Sequence, residues 1–171
     1  PSESGKLPQQ WRRLPESHNF IWVAADDSGN QRSVARRIAY AVFAVGLIDK
    51  RYDIDTERVF LSGFSGGARV AGLVAAAYPQ MFRGGIYMGG AEMWDIEPTP
   101  DTLEAIRENR FVFITGTEDF NRPMALKVAA QYANAGIKKQ KTIVISRHGH
   151  ELPPSRRMRD ALNFLDGVSP D

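Results

Sequence analysis

The feature that most constrains the fold of this chain is the stretch at residues 59–78, VFLSGFSGGARVAGLVAAAY. An apolar run leads into GFSGG at residues 63–67, and an Ala-rich, helix-favouring segment follows at once. Gly63, Ser65 and Gly67 spell G-x-S-x-G in the strand–turn–helix context that this motif requires. Such a turn strains the serine backbone and lifts its Oγ above the end of a sheet, while the flanking glycines avoid side-chain collisions. The pattern therefore predicts a nucleophilic serine at position 65.

Apolar runs alternate with helical patterns along the rest of the sequence. The predicted strands are residues 19–25, 59–61, 84–88, 110–115 and 141–146. A short helix is predicted at 9–14 and another directly after the GFSGG turn. The remaining predicted helices are residues 31–48, 102–108, 121–135 and 154–165. Residues 19–25 (NFIWVAA) form a continuous apolar run after Asn19, which is typical of a strand buried on both faces. This alternation predicts a mostly parallel sheet covered by helices on both faces. A chain of 171 residues suits a single domain spanning residues 1–171.

Composition excludes several classes of function. The net charge of +2 is small and the arginines are scattered, so a nucleic-acid partner is not expected. The sequence contains no cysteine, which excludes disulfides, zinc–thiolate sites and a cysteine nucleophile. No apolar stretch approaches the roughly 18–20 residues that a membrane span needs. We expect neither a metal nor a cofactor, and the composition leaves the oligomeric state open.

A serine hydroxyl is a poor nucleophile unless a base removes its proton, so a histidine must reach Ser65. The sequence contains three histidines. His18 precedes the first predicted strand, at the amino end of the sheet, whereas chemistry in parallel sheets gathers at the carboxyl ends of strands. His148 and His150 both follow the last predicted strand, and Gly149 between them allows the loop to turn. Either of these two histidines is a candidate base.

An acid is also needed, to hold the imidazole in the right tautomer and to stabilise its charge. Asp119 lies in TGTEDFN, directly after the strand that ends at Thr115, and Glu118 beside it is chemically competent. Each candidate follows a successive strand, and the order is nucleophile, then acid, then histidine. That order is the one found in α/β-hydrolases.

These motifs resemble one branch of the α/β-hydrolases, the polyhydroxybutyrate depolymerases and carbohydrate esterases, which includes feruloyl and acetylxylan esterases. Residues 52–84 are similar to that branch's Y-x-I-D-x-x-R-V-x-x-x-G-x-S-x-G-G pattern with its Y-P-x-x-F-x-G tail, although Thr56 stands where proline is common. The resemblance implies a three-layer α/β-hydrolase fold with Ser65 as nucleophile, Asp119 as acid and His150 as base. His150 is favoured over His148 because the family histidine precedes a polar–apolar–Pro exit into the last helix.

The same resemblance implies a feature that the sequence lacks. In α/β-hydrolases a central strand separates the strand at 19–25 from the strand that precedes the nucleophile, and an HG-type loop after it supplies one of two oxyanion donors. This sequence opens with PSESG at that place. We therefore expect that an N-terminal portion is absent or that another segment supplies the strand. Gly66 N–H is the expected first oxyanion donor, and the second is expected near Ser2 or Glu3.

The function implied is hydrolysis of carboxylic esters through an acyl-enzyme, on a small-molecule or oligomeric substrate. Phe64, Trp94 and Phe120 are expected to line an apolar acyl or aryl pocket. Two alternatives stay open: the same three residues could cleave peptides or transfer acyl groups, or the chain could be a non-catalytic binding domain on this fold. Relatives of this kind are often exported, so the resemblance leans toward an exported or periplasmic protein.

Overall fold

The computed structural model describes residues 5–168, and its centre is a four-stranded parallel sheet. The strands are β1 (Leu61–Phe64), β2 (Gly84–Met88), β3 (Arg110–Gly116) and β4 (Gln140–Ile145), and they lie side by side in chain order. Every neighbouring pair is parallel. All four strands therefore end at one edge of the sheet, and the loops that leave this edge lie close together.

Helices precede, connect and follow the strands. They are α1 (Leu14–Ser17), α2 (Val34–Asp49), α3 (Gly66–Ala77), α4 (Pro100–Glu108), α5 (Arg122–Asn134) and α6 (Ser155–Leu165). The short helix predicted at 9–14 is instead a 3-10 turn at Gln9–Trp11 followed by α1. The predicted helix at 31–48 begins at Val34, because the side chain of Ser33 accepts a hydrogen bond from Arg36 N–H (3.3 Å) and caps the first turn.

The sheet has an apolar core on each face, since successive side chains of a strand point to opposite sides. On one face Tyr87, Phe111 and Phe113 pack against α3 and α5, with the ring of Tyr132 at the centre. On the other face Ile86, Met88, Val112, Ile114 and Ile143 pack against α6 and the N-terminal segment. The predicted three-layer α/β architecture is confirmed.

The prediction of a doubly buried strand at residues 19–25 is wrong. The segment belongs to no strand of the sheet that residues 5–168 form, and β1 pairs only with β2. A strand needs a neighbouring strand to accept its ladder of hydrogen bonds, and within residues 5–168 no strand pairs with this segment. Phe20 and Trp22 pack into the core on the α6 side, whereas Ile21 and Val23 are nearly half exposed. One face of the segment is therefore buried and the other is not.

Helix α2 is covered only in part. Ile38, Ala41, Val42 and Val45 pack against α3, while Phe43 and Leu47 are 68% and 60% exposed. Among the helices of residues 5–168, none is long and apolar enough to cross a membrane.

Candidate active site

Ser65 lies in the sharp turn between β1 and α3, at the carboxyl edge of the sheet. Its φ is 55°, a left-handed conformation that a non-glycine residue rarely adopts. The turn closes tightly, since a Cβ at Gly63 would overlap the backbone of Gly67. The N–H of Ser65 donates to Met88 O (2.8 Å), which ties the turn to the end of β2. These constraints give the serine the strained position at the end of the sheet that the G-x-S-x-G pattern predicts, and Ser65 is only partly buried there.

His150 follows β4 in a loop that is fastened to the loop after β3. Arg147 N–H donates to Thr117 Oγ1 (2.8 Å), and Glu118 N–H donates to His148 O (3.0 Å). Gly116 permits this close approach, because a Cβ there would overlap the carbonyl of His148. Two loops that are about 30 residues apart in the sequence thus form one structural unit.

The structure brings Ser65, His150 and Asp119 into hydrogen-bonding distance. His150 Nε2 lies 2.9 Å from Ser65 Oγ, and His150 Nδ1 lies 2.9 Å from Asp119 Oδ1. An ionised carboxylate only accepts hydrogen bonds, so Nδ1 must carry the proton that faces Asp119. In the neutral ring Nε2 then holds the free lone pair, which can accept the proton of Ser65 Oγ–H. The ring is therefore oriented to act as a base toward the serine.

Asp119 is buried, with a side chain that is only 2% exposed, but its carboxylate oxygens have partners. Besides His150, Oδ1 accepts a hydrogen bond from Asn121 N–H (2.8 Å), and Oδ2 faces Thr115 Oγ1 at 3.4 Å. These donors offset part of the cost of removing a carboxylate from water. They also fix the direction in which it faces the imidazole.

The other candidate residues point elsewhere. His18 contacts Asn163 of α6 instead, with Nε2 3.1 Å from Asn163 Oδ1. The ring of His148 faces Glu151, with Nε2 3.3 Å from its carbonyl oxygen. Glu118 meets the neighbouring loop through its backbone N–H, and its side chain makes no hydrogen bond to His150.

Two of the three aromatic residues expected at the site lie against His150. The ring centroid of Phe120 is 4.3 Å from that of the imidazole, and the centroid of Phe64 is 4.8 Å away. Phe120 is 74% exposed, so most of this ring faces solvent beside the reacting atoms. Trp94 lies apart from them: its ring packs on Tyr132 in the core, 5.7 Å between centroids.

Of the expected oxyanion donors, only Gly66 lies within the described residues. Gly66 is the first residue of α3, so its N–H is one of those that have no partner within the helix. Ser2 and Glu3 lie outside the described residues.

The side chains of two residues from the segment before β1 lie beside the start of α3. The side chain of Asn30 packs directly on Gly66, where a Cβ would overlap it, and Arg37 Nη1 lies 3.5 Å from Asn30 Oδ1. Partial burial lowers the pKa of this arginine from its ordinary value.

Sequence reasoning missed two residues of the site, Gly89 and Asn121. Gly89 follows β2 with φ of 56°, and Asn121 Nδ2 donates to its carbonyl oxygen (3.0 Å). The Gly89-Gly90 pair directly after an apolar strand was the available signal, because paired glycines mark a tight turn or a close backbone approach. Within residues 5–168, no cluster of three or more His, Asp or Glu side chains could hold a metal ion.

Comparison with known proteins places the chain in a family. The model of the esterase PHB depolymerase family matches residues 7–97, which include the Ser65 turn. The chain belongs to this family. The predicted resemblance to polyhydroxybutyrate depolymerases and carbohydrate esterases is thereby confirmed. A probable acetylxylan esterase A from Aspergillus clavatus is 34% identical over 99 residues, a match that covers 47% of the chain and 30% of that relative. The match thus spans about a third of the length of this curated relative.

Solved structures agree on the fold of this esterase PHB depolymerase family member. An S-formylglutathione hydrolase from Staphylococcus aureus superposes with a TM-score of 0.65 at 12% identity, over 90% of the chain and 74% of that protein. A ferulic acid esterase gives a TM-score of 0.59 at 16% identity, over 72% of the chain and 57% of that protein. At these identities the likeness shows the α/β-hydrolase fold alone.

Proposed function

We propose that this chain carries the catalytic residues of a serine esterase, which cleaves carboxylic esters through an acyl-enzyme. The observation that carries the proposal is the continuous hydrogen-bonded path from Ser65 Oγ through His150 to Asp119, with both distances at 2.9 Å. The family and the α/β-hydrolase fold support ester hydrolysis in general terms. Assigning the reaction to these three residues goes further, and rests on their geometry.

The first half of the proposed reaction forms the acyl-enzyme. Ser65 Oγ attacks the carbonyl carbon of the ester while its proton passes to His150 Nε2. Asp119 stabilises the imidazolium that results, and Gly66 N–H stabilises the negative charge on the carbonyl oxygen. The tetrahedral intermediate then collapses, the bond to the alcohol oxygen breaks, and His150 returns its proton to the leaving alcohol.

The second half releases the acid. A water molecule takes the place of the alcohol, and His150 removes one of its protons as the water oxygen attacks the acyl carbon. The second intermediate expels Ser65 Oγ, which recovers its proton from the imidazolium. The His150 side chain is 18% exposed, so part of the ring faces the solvent that supplies this water.

A fluorophosphonate probe tests the proposed nucleophile without knowledge of the substrate. An activated serine displaces fluoride from phosphorus and forms a stable Oγ–P bond. We expect stoichiometric labelling of the folded chain, with the adduct located on the peptide that contains Ser65 by mass spectrometry. Heat-unfolded protein is the control and should not react. Absence of labelling in the folded protein would contradict the proposed function and would favour a non-catalytic binding domain.

We further propose that Phe120 forms one wall of an acyl or aryl pocket, because its exposed ring lies against His150. Replacing Phe120 by alanine should lower kcat/KM for feruloyl esters by about threefold to tenfold, which is the range expected for the loss of one aromatic pair. Hydrolysis of small acetyl esters should change less. Steady-state kinetics on both ester types measures the difference.

Phe43 provides a matched control, since it is similarly exposed but lies on α2, away from His150. Phe43→Ala should leave the preference between feruloyl and acetyl esters unchanged. An equal loss on both ester types in Phe120→Ala would show that the ring orients His150 rather than the substrate, and would refute its role in the pocket.

A further inference from the structure

Asn121 makes two hydrogen bonds at the site, and the proposed mechanism uses neither. It is the N-cap residue of α5, where an asparagine side chain commonly accepts a bond from the first helical turn, yet it makes no such bond. Its Nδ2 instead donates to the carbonyl oxygen of Gly89 at 3.0 Å, across 32 positions of the sequence. A carbonyl oxygen only accepts, so the amide nitrogen must be the atom that faces Gly89.

Gly89 is buried and lies directly against the reacting residues. A Cβ at this position would be 2.9 Å from the ring of Phe64, 3.1 Å from Cε1 of His150 and 3.2 Å from Oδ2 of Asp119. The left-handed φ of 56° together with this crowding requires glycine here. The imidazole of His150 and the carboxylate of Asp119 therefore both pack against the backbone of Gly89.

The segment around Gly89 is also tied to the nucleophile. Met88 O accepts the N–H of Ser65 (2.8 Å), and Gly89 N–H donates to Ile114 O on β3 (2.9 Å). These bonds fix the N-terminal side of Gly89. Its carbonyl lies on the other side of the turn, and there the side chain of Asn121 supplies the hydrogen bond.

We propose that Asn121 is a positioning residue, which holds Gly89 against His150 and Asp119 and thereby keeps the imidazole aligned with Ser65. It acts through Gly89 and does not touch the substrate. The effect of Asn121 on turnover rests on the proposed function. The effect of Asn121 on the geometry of the His150–Asp119 hydrogen bond is independent of the proposed function.

Asn121→Leu separates the two bonds of this residue. Leucine is close in size and keeps the backbone N–H that donates to Asp119, but it cannot donate to the carbonyl of Gly89. We expect kcat to fall by about 10- to 100-fold with KM nearly unchanged, because small misplacements of reacting groups cost up to roughly 100-fold. Asn134→Leu, at the exposed end of the same helix, is the matched control and should keep wild-type kcat.

A spectroscopic measurement tests the inference without any substrate. The proton between His150 Nδ1 and Asp119 should give a strongly downfield proton NMR signal, assigned by its loss in Asp119→Asn. We expect this signal to move or broaden in Asn121→Leu and to stay in place in Asn134→Leu. If circular dichroism shows that Asn121→Leu is unfolded, Asn121→Asp removes the same donor in a nearly isosteric side chain.

The outcomes for the two proposals differ. Loss of turnover with a displaced signal supports the positioning role, whereas wild-type kcat or an unmoved signal in the folded variant overturns it. If the wild-type protein shows no ester turnover that depends on Ser65, the proposed esterase function is contradicted. The displaced signal would still support the role of Asn121 in that case, and an unmoved one would still overturn it.

Discussion

Replacing Ser65 by alanine should lower kcat for ester hydrolysis by about 10⁴-fold or more, with little change in KM. The variant lacks the Oγ that lies 2.9 Å from His150 Nε2, so no acyl-enzyme can form. Binding contacts and the oxyanion donor remain, and they sustain only a small residual rate. Release of alcohol from a short acyl ester measures the effect, and the variant should also resist the fluorophosphonate probe.

Ser62 offers a matched control for this substitution. It lies in β1, the strand that leads into the Ser65 turn, three positions before Ser65, and is exposed. Ser62→Ala should retain wild-type kcat and labelling. The double variant Ser65→Ala/His150→Ala should be no slower than Ser65→Ala alone, because residues that act as one unit do not contribute additively. Turnover in Ser65→Ala within about tenfold of the wild type would exclude the assigned nucleophile.

The strands after the Ser65 turn could be predicted because each is an apolar run bounded by turn residues in the sequence. Residues 110–115 (RFVFIT) have an unbroken apolar centre at 111–114, and β3 at Arg110–Gly116 is buried on both faces. Turn residues bound each run, and the helices between them have their own spacing. Local patterning and the tertiary structure agree in this part of the chain, so the pattern alone was sufficient.

Residues 19–25 show where local patterning fails. Their composition is that of a buried strand, but a strand forms only if another strand lies beside it. In the sheet of residues 5–168 the partner of β1 is β2, and residues 19–25 pair with neither. The sequence of the segment has no information about its neighbours. Its alternation of partly buried Phe20 and Trp22 with exposed Ile21 and Val23 follows from packing on one side only.

The proposed site residues could be chosen because a parallel sheet gathers its loops at one edge. Ser65, Asp119 and His150 each follow a different strand, and this order predicted that their loops meet. The family resemblance then selected Asp119 over Glu118 and His150 over His148. Trp94 was expected to line an apolar pocket beside them, but its ring packs on Tyr132 instead. The contact between Asn121 and Gly89 joins two loops through one side chain, and no spacing in the sequence indicates such a pair.

Asp119→Asn should lower kcat by about 10⁴-fold while the variant stays folded, because the side chain keeps its size. The amide oxygen can take the place of Oδ1 and still accept hydrogen bonds from His150 Nδ1–H and Asn121 N–H. The amide is neutral, however, so it does not stabilise the imidazolium that forms when His150 takes the serine proton. The loss therefore arises from the missing negative charge.

Glu118 is the matched control for this prediction, because it is the adjacent acid and its side chain is exposed. Glu118→Gln makes the same chemical change one position away and should leave kcat nearly unaltered. The reverse result, with Glu118→Gln inactive and Asp119→Asn active, would transfer the role of the acid to Glu118. Loss of activity in both variants would indicate that the charge of the whole loop matters, which the 2.9 Å contact between His150 Nδ1 and Asp119 Oδ1 argues against. That contact makes the charge of one buried carboxylate decisive.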